Sequence, residues 1–493
     1  MTEEGFRERE VLKARRDSLE RLRAKGIEPF ALTFDVTAHA AELHERFAEL
    51  PAGELSPERF AVAGRIVLAR RHGKLVFLVL RDRSGDIQLF CLEESLGSGG
   101  LELLQEVDLG DIVGASGPVM RTERGELSVR VEELTMLGKA LRPMPEKWHG
   151  LQDPDLRVRR RYLELATDPD SRRVVLARAK VLRAFRTYLD EHGFVEVETP
   201  VLQNTAGGAL ARPFVTHHRA LDIDMYLRIA LELYLKRLLV GGLERVFEIG
   251  RIFRNEGIDR THAPEFTMLE VYQAYGDYFS MMELGQALVT EAARAVRGSL
   301  RFDYQGREMN LEGEWRRITV LASVSETTGE EIALDRADLA DVAERHGVGV
   351  DPAWGPGKIA LEMFEKLVEH TLWDPTFVCD FPREVSPLAR PHRSSPGLTE
   401  HSDLIMGGTE IIPAYSELSD PDEQRRSFEI QQEAKRQGAE EVHPLDEDFL
   451  VALEHGMPPT GGLGLGIDRL LMILADVASI RDTIAFPHVR PEE

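Results

Sequence analysis

Residues 245–275 hold two runs, "RVFEIGRIFRNE" and "FTMLEVYQAY", parted by the polar stretch "GIDRTHAPE". Side chains of a strand alternate between its faces, so Arg254 and Glu256 share one face of the first run. Met268, Glu270 and Tyr272 share one face of the second. The spacing predicts a hairpin, one face of which gathers a guanidinium, two carboxylates and a phenol. Charges on a half-buried face are costly unless they are paired or face a ligand. If the two runs pair in this way, the polar face they share needs a reason. A lone Arg–Glu pair would read equally well as a structural ion pair.

The remaining 460 or so positions, roughly counted, exceed what one core usually serves, so more than one domain is expected. The chain has 493 residues and a net charge of −24. That charge suits a soluble protein and excludes one whose whole surface attracts nucleic acid; an RNA partner needs local basic patches. Cys91 and Cys379 are the two cysteines, in no metal-ligand spacing, which argues against zinc and a disulfide framework. The N-terminus has no apolar signal segment and no stretch is long enough to span a bilayer, so a cytoplasmic protein is expected.

Residues 1–57 are expected to form an N-terminal helical extension, with 4–26 a charged helix ending at Gly26 and basic in its later half. It reads either as a polyanion-touching helix or as a solvated helix packed on a neighbour. Residues 58–147 hold short β-rich runs such as "FAVAGRIVLARR" and "LVFLVLRDRSGDIQLFCL", separated by glycine and charged turns. Several strands at this spacing predict a small antiparallel barrel. A proline-containing hinge is expected at 139–155. Residues 148–493 then read as a long α+β region. Within it, Val174, Ala177, Val181, Phe185 and Leu189 line one face of a helix stopped by Gly193. "FVEVETPVL" reads as a strand, and 278–372 as mostly helical.

The hairpin's loop and three further clusters carry chemistry. The hairpin loop adds Arg260, His262 and Phe266, residue types that suit phosphate, polyphosphate and base stacking. In "GGTEIIPAYSELSDP", Glu410 and Glu417 would meet at one Mg²⁺ if the strand bends. In "PPTGGLGLGIDRLLMIL", a glycine run enters a helix whose first turn carries Arg469; glycines and a helix N-terminus favour phosphate, although no Walker lysine follows. Glu232 starts the helix of "LRIALELYLKRLLVGG". Singly, each has a plain structural reading. Together, Glu232, Glu270 and Glu417 beside Arg254 and Arg469 point to an amine-bearing substrate next to a Mg²⁺-bound nucleotide.

These segments resemble the signature motifs of class II aminoacyl-tRNA synthetases, and most closely the lysine-specific enzymes of bacterial type. "GFVEVETPVL", with Pro200, resembles motif 1, "FRNEGIDRTHAPEFTMLE" motif 2, and "GLGLGIDRL" motif 3. The resemblance runs from the barrel, which would be an OB-fold anticodon-binding domain, to the C-terminus, and implies that 148–493 is a catalytic domain on an antiparallel sheet flanked by helices. It implies a ligase that activates L-lysine with ATP and transfers it to lysine tRNA, with Mg²⁺ and a homodimer. Arg254 and Arg469 would be the catalytic arginines. Glu256, His262, Phe266 and Glu410 would bind ATP with them. Gly208, Glu232, Arg254, Glu270, Tyr272 and Glu417 would bind lysine. Glu410 and Glu417 would ligate the metal. Phe77, Gln88 and Phe90 would read the anticodon.

Four positions depart from the family pattern: Leu231, Ala263, Asp403 (where Glu is common) and Pro413, where a side-chain donor is usual. Three alternatives remain. An aspartyl or asparaginyl relative is set apart by Glu270 with Tyr272, and the aspartyl enzyme would need cationic groups where Glu270 stands. A paralogue that modifies a protein would lack the barrel. A non-catalytic RNA binder would not need the arginines of motifs 2 and 3.

Overall fold

The computed structural model describes residues 3–145, 151, 153–436 and 444–490. They fall into two compact units, Met1–Pro154 and Asp155–Glu493.

In the first unit the long strand Leu55–His72 pairs with Leu75–Arg81 along one part and with Ile112–Arg121 along another. Strand Asp86–Leu92 links Leu75–Arg81 to Leu127–Arg130, which returns to Ile112–Arg121 and closes a barrel. Alternate residues such as Val62, Ile66, Leu78, Leu89 and Val113 fill its interior. Leu22 of the helix Glu3–Ala24 is buried in the same core. Arg15 of that helix donates to the carbonyls of Leu109, Ala140 and Arg142, and Arg21 pairs with Glu106. The later, basic half of the helix is thus tied to the barrel, in keeping with the packed reading. The expected hinge begins too early at 139. Lys139 is fully buried and donates to Asp108, Asp111 and the Glu106 carbonyl, because two carboxylates there need a cation. Residues 146–150 and 152 of that hinge lie outside the described residues.

The second unit is built on an eight-stranded sheet. Its strands run in the order Arg316–Thr319, Thr376–Cys379, His401–Met406, Thr409–Ser416, Thr460–Gly466, Glu265–Ala274, Arg245–Phe253, Val195–Glu196. Only the two outermost pairings are parallel. One face packs on the helices Pro169–Glu191, Tyr278–Arg297 and Ile467–Ala475, where Phe185, Leu288 and Leu470 meet Phe247, Leu269, Ile412 and Leu463. The five positions expected on the first of these helices are its buried ones, and Gly193 follows with φ +75°. The other face is covered only at its two ends. Leu231, Leu235 and Leu239 pack on Val246 and Tyr272 at one end. Helices Val320–Thr328, Leu339–Arg345 and Pro356–Leu367 pack on Val378 and Ile405 at the other. Between them the sheet is open, and there the polar face expected from the hairpin lies.

Two expected elements differ. "FVEVETPVL" yields only the two-residue strands Val195–Glu196 and Leu202–Gln203, since Pro200 cannot donate to a ladder. Residues 278–372 include three short strands besides helices. Arg301–Tyr304 and Arg307–Asn310 form a hairpin about Gln305 (φ +49°) and Gly306 (φ +77°), the positive-φ pair of a tight two-residue turn. Among the described residues no helix is long and apolar enough to cross a membrane.

Candidate active site

The two hairpin strands pair in register, with Glu248 opposite Glu270 and Val246 opposite Tyr272. The first strand ends at Phe253, one residue short of the expected arginine. The Arg254 amide still donates to the Pro264 carbonyl, at 2.9 Å, but Pro264 has no N–H to return. Glu256 is therefore in an exposed loop and not on a strand face with Arg254.

A cavity of about 410 Å³ opens on this face. Arg254, Glu256, His262, Phe266, Glu270, Tyr272, Gly208, Glu232, Glu410, Glu417 and Arg469 all line it. The glycine run is the middle strand of the site, Thr460–Gly466, and not a phosphate loop. Its leucines 463 and 465 point into the core, so Gly462, Gly464 and Gly466 face the cavity. A Cβ at Gly462 would lie 2.0 Å from the Glu417 carboxylate and 2.6 Å from the Tyr272 ring; one at Gly464 would lie 2.6 Å from Met268. The glycines make room for acidic and aromatic side chains arriving from both neighbouring strands. Gly208 (φ +88°) lies beside Glu232, where a Cβ would crowd Ala230 at 2.9 Å.

One end of the cavity is acidic and deep. Glu270 accepts from the Leu231 amide at 2.9 Å and from the Tyr272 hydroxyl at 3.0 Å. Glu417 and Glu232 share Lys236, whose ammonium is 2.5 Å from each. Burial pushes the carboxyls of Glu270 and Glu417 up to about 7. The neighbouring negative charge of Glu232 adds to this, opposed at Glu417 by Lys236.

The other end is cationic. The Arg254 guanidinium lies 5.2 Å from the centre of the Phe266 ring, and both line the cavity. Asp259 accepts from His262 Nδ1 at 2.8 Å, so His262 Nε2 is the acceptor for Arg469 at 3.2 Å. Arg469 also donates to the Glu410 carbonyl. Its position is fixed by its neighbour Asp468, which is buried and accepts from the Thr267 amide at 2.7 Å, from Arg178 and from Thr483.

The metal pair needs correction. Glu410 and Glu417 stand near opposite ends of the strand Thr409–Ser416, roughly 20 Å apart at the rise of a β-strand. A bulge after Glu410 brings both to the cavity face but does not fold the strand back. One ion with bonds of about 2 Å cannot span them. The carboxylate beside Glu410 is Asp403, on the adjacent strand His401–Met406. The Glu410 carboxyl is raised first by burial and then by the charge of Asp403. Asp403 is in turn held by His401 Nε2 at 2.9 Å; that imidazole is stacked between Phe381 and Tyr415 and bonded through Nδ1 to Ser386. Two adjoining carboxylates with open approach from the arginines suit Mg²⁺, which keeps several water or phosphate ligands. Among the described residues no group of three or more His, Cys, Asp or Glu is arranged to enclose a metal. Sequence reasoning also missed Glu365 and Glu369, which add negative charge at this end; burial and those neighbours push Glu369 up to about 7.

On the barrel, Phe77 and Phe90 are opposite one another and meet edge to face, 5.5 Å apart at 80°. Arg70 is opposite Phe77 and Arg130 opposite Phe90, so one row across three pairings reads Arg, Phe, Phe, Arg. Gln88 donates to Ser128 Oγ at 2.9 Å, which leaves its carbonyl as an acceptor. The two arginines had no sequence signal; only the strand register brings them alongside the rings.

A closed barrel bearing an aromatic and cationic row, and an antiparallel sheet with an acidic hole beside an arginine-lined cleft, are the two parts of a class II aminoacyl-tRNA synthetase. The chain belongs to that family: residues 153–490 match the family of tRNA synthetases class II (D, K and N), and residues 60–137 match the OB-fold nucleic acid binding domain. It is 50% identical over 490 residues to the lysine–tRNA ligase of Moorella thermoacetica, covering 99% of each chain. It is 48% identical over 486 residues to that of Carboxydothermus hydrogenoformans (98% of this chain, 99% of the relative) and 49% identical over 504 aligned positions to that of Thermosynechococcus vestitus (100% and 99%).

Proposed function

We propose that the chain is a lysine–tRNA ligase. The observation that carries the reading is the trio Glu232, Glu270 and Glu417, the last two of them buried, in one cavity with Arg254 and Arg469. The names of the relatives, at about half identity over the full length, support it. Glu232 and the backbone beside Gly208 take the α-ammonium. Glu270, Tyr272 and Glu417 take the ε-ammonium. A neutral side chain in that hole would leave charges unpaired, which rejects it. Arg254 holds the substrate carboxylate against the ATP α-phosphate, Phe266 stacks on adenine, and His262 and Arg469 hold the phosphate tail. Mg²⁺, held by Asp403 and Glu410, would neutralise phosphate charge.

A lysine carboxylate oxygen attacks the α-phosphorus in line, the bond to the bridging oxygen breaks, and pyrophosphate leaves. The nucleophile is already an anion, so this step needs no protein base. A terminal ribose hydroxyl of the tRNA then attacks the adenylate carbonyl, the bond from that carbon to the phosphate oxygen breaks, and AMP leaves with the hydroxyl's proton passing to its phosphate. Positioning and charge neutralisation supply the acceleration. Exchange of pyrophosphate into ATP, run with lysine, aspartate and asparagine in turn, tests the reading. Lysine alone should support it; exchange with aspartate and none with lysine sinks it.

The barrel row fits single-stranded RNA, two rings for base stacking and two guanidinium groups for phosphates. Phe77→Ala is expected to lower kcat/KM for tRNA charging about 10- to 100-fold. Lysine-dependent pyrophosphate exchange, which needs no tRNA, should change less than twofold. A second copy of the chain is proposed to cover the exposed Val175, Leu176, Val195, Val201 and Leu202, giving a cytoplasmic homodimer; sedimentation at monomer mass would exclude it.

The raised carboxyls give a pH prediction. A bound ammonium favours the ionised form, so lysine binding below about pH 7 must expel protons from Glu270 and Glu417. The Kd for lysine should fall about tenfold from pH 6 to pH 8 for each carboxyl that must ionise, then level off. Calorimetric titration across that range checks it; a flat Kd contradicts it.

A further inference from the structure

Lys236 has no part in the roles above, yet it is fully buried and lies against two of the substrate-binding carboxylates. It sits one turn after Glu232 on the helix Glu232–Val240, with its ammonium 2.5 Å from Glu232 and from Glu417. Glu417 follows the strand Thr409–Ser416, a separate element. The ammonium therefore spans the two ends of the hole, from the α-ammonium carboxylate to an ε-ammonium carboxylate.

We propose that Lys236 is a specificity-determining, positioning residue, an internal counter-ion that sets the charge of the hole to match an amino acid with two ammonium groups. This rests on the lysine reading above. Glu232, Glu270 and Glu417 bring three negative charges. Lys236 cancels one, and the two that remain equal the two ammonium groups of the substrate. Crowded together with no internal cation, these carboxylates would be harder still to ionise when lysine binds. Tyr272 and Tyr415, which also face the site, are held neutral by burial and by nearby carboxylates, Glu270 first at Tyr272 and Asp403 first at Tyr415, and cannot replace the cation. Lys236 itself is kept charged, its burial outweighed by Glu232 and Glu417. Without it, Glu417 keeps a proton and meets the ε-ammonium as a neutral acid.

The test is Lys236→Met, which keeps length and loses charge. Its KM for lysine is expected to rise at least tenfold at pH 7, with the deficit shrinking to less than about threefold at pH 8.5 as the carboxyl ionises. KM for ATP should stay within twofold. A residue that only packs would give a deficit that does not depend on pH, and that outcome, or a wild-type KM, overturns the inference. Should the single variant fail to fold, Lys236→Met with Glu417→Gln removes one charge of each sign. Recovery of folded protein by that pair supports the counter-ion role, and no recovery overturns it. Wild-type protein that fails to exchange pyrophosphate with lysine would refute the lysine reading itself, a separate result.

Discussion

Arg254→Ala is expected to lower lysine-dependent pyrophosphate exchange by about a thousandfold, with the loss mainly in kcat. The guanidinium is the group at the junction of the two halves of the cavity. It lies between the acidic hole, where Glu270 is a neighbour, and the cleft, where Glu410 and Arg469 are. Burial works against its charge and the surrounding carboxylates work for it. Its proposed contacts, substrate carboxylate on one side and α-phosphate on the other, are made between two anions that repel. Bringing those anions together is the whole difficulty of the first step, and charge accumulates on the phosphoryl oxygens as the bond forms. Removing one preorganised donor at such a position typically costs 10²–10³, roughly 3–4 kcal/mol. Here one donor group serves both reactants. Arg254→Lys keeps a charge but not the forked geometry, and should recover no more than about tenfold. Rapid-quench measurement of adenylate formation separates this from a loss of ATP binding; a variant with wild-type adenylation would remove Arg254 from the step.

Glu270→Gln should raise KM for lysine about a hundredfold while leaving KM for ATP within about twofold. The amide keeps an oxygen for the Leu231 N–H, so the backbone contact survives. What goes is one of the two charges facing the ε-ammonium, in a place closed to water: Glu270 is 3% exposed. Hydrogen bonds to charged groups contribute about 1.5–3 kcal/mol, and the amide NH₂ that replaces an acceptor would also confront the ammonium. The tyrosine hydroxyl loses its anionic acceptor as well. Steady-state exchange kinetics in lysine decide this. An unchanged KM would mean that the ammonium binds elsewhere.

Much of the site was legible because strand parity is a strong constraint. Glu270 and Tyr272 lie two apart on a long uninterrupted strand, and their shared face follows from spacing alone. The buried stripe of the helix Pro169–Glu191 was legible for the same kind of reason, a regular period. Parity fails where a strand bulges or is backed by an unseen neighbour. The bulge after Glu410 puts it in phase with Glu417, but only the pairing of neighbouring strands shows Asp403 beside it. The glycine run was ambiguous because glycine suits a phosphate loop and a crowded strand equally; the side chains that need its space come from residues 272 and 417, far away in sequence. Lys236 gave no signal, since a lysine four residues after a glutamate on a helix is an ordinary surface pairing until tertiary packing buries it.

The glycine strand has a further meaning for anyone who would redesign the pocket. Its floor is bare main chain at 462, 464 and 466, with nothing left to trim. Residue changes there can only fill the recess, evicting the acid at 417 or the ring at 272. Broader substrate acceptance must come from the walls, and a longer amino acid gains space only if the two flanking strands give up their own side chains.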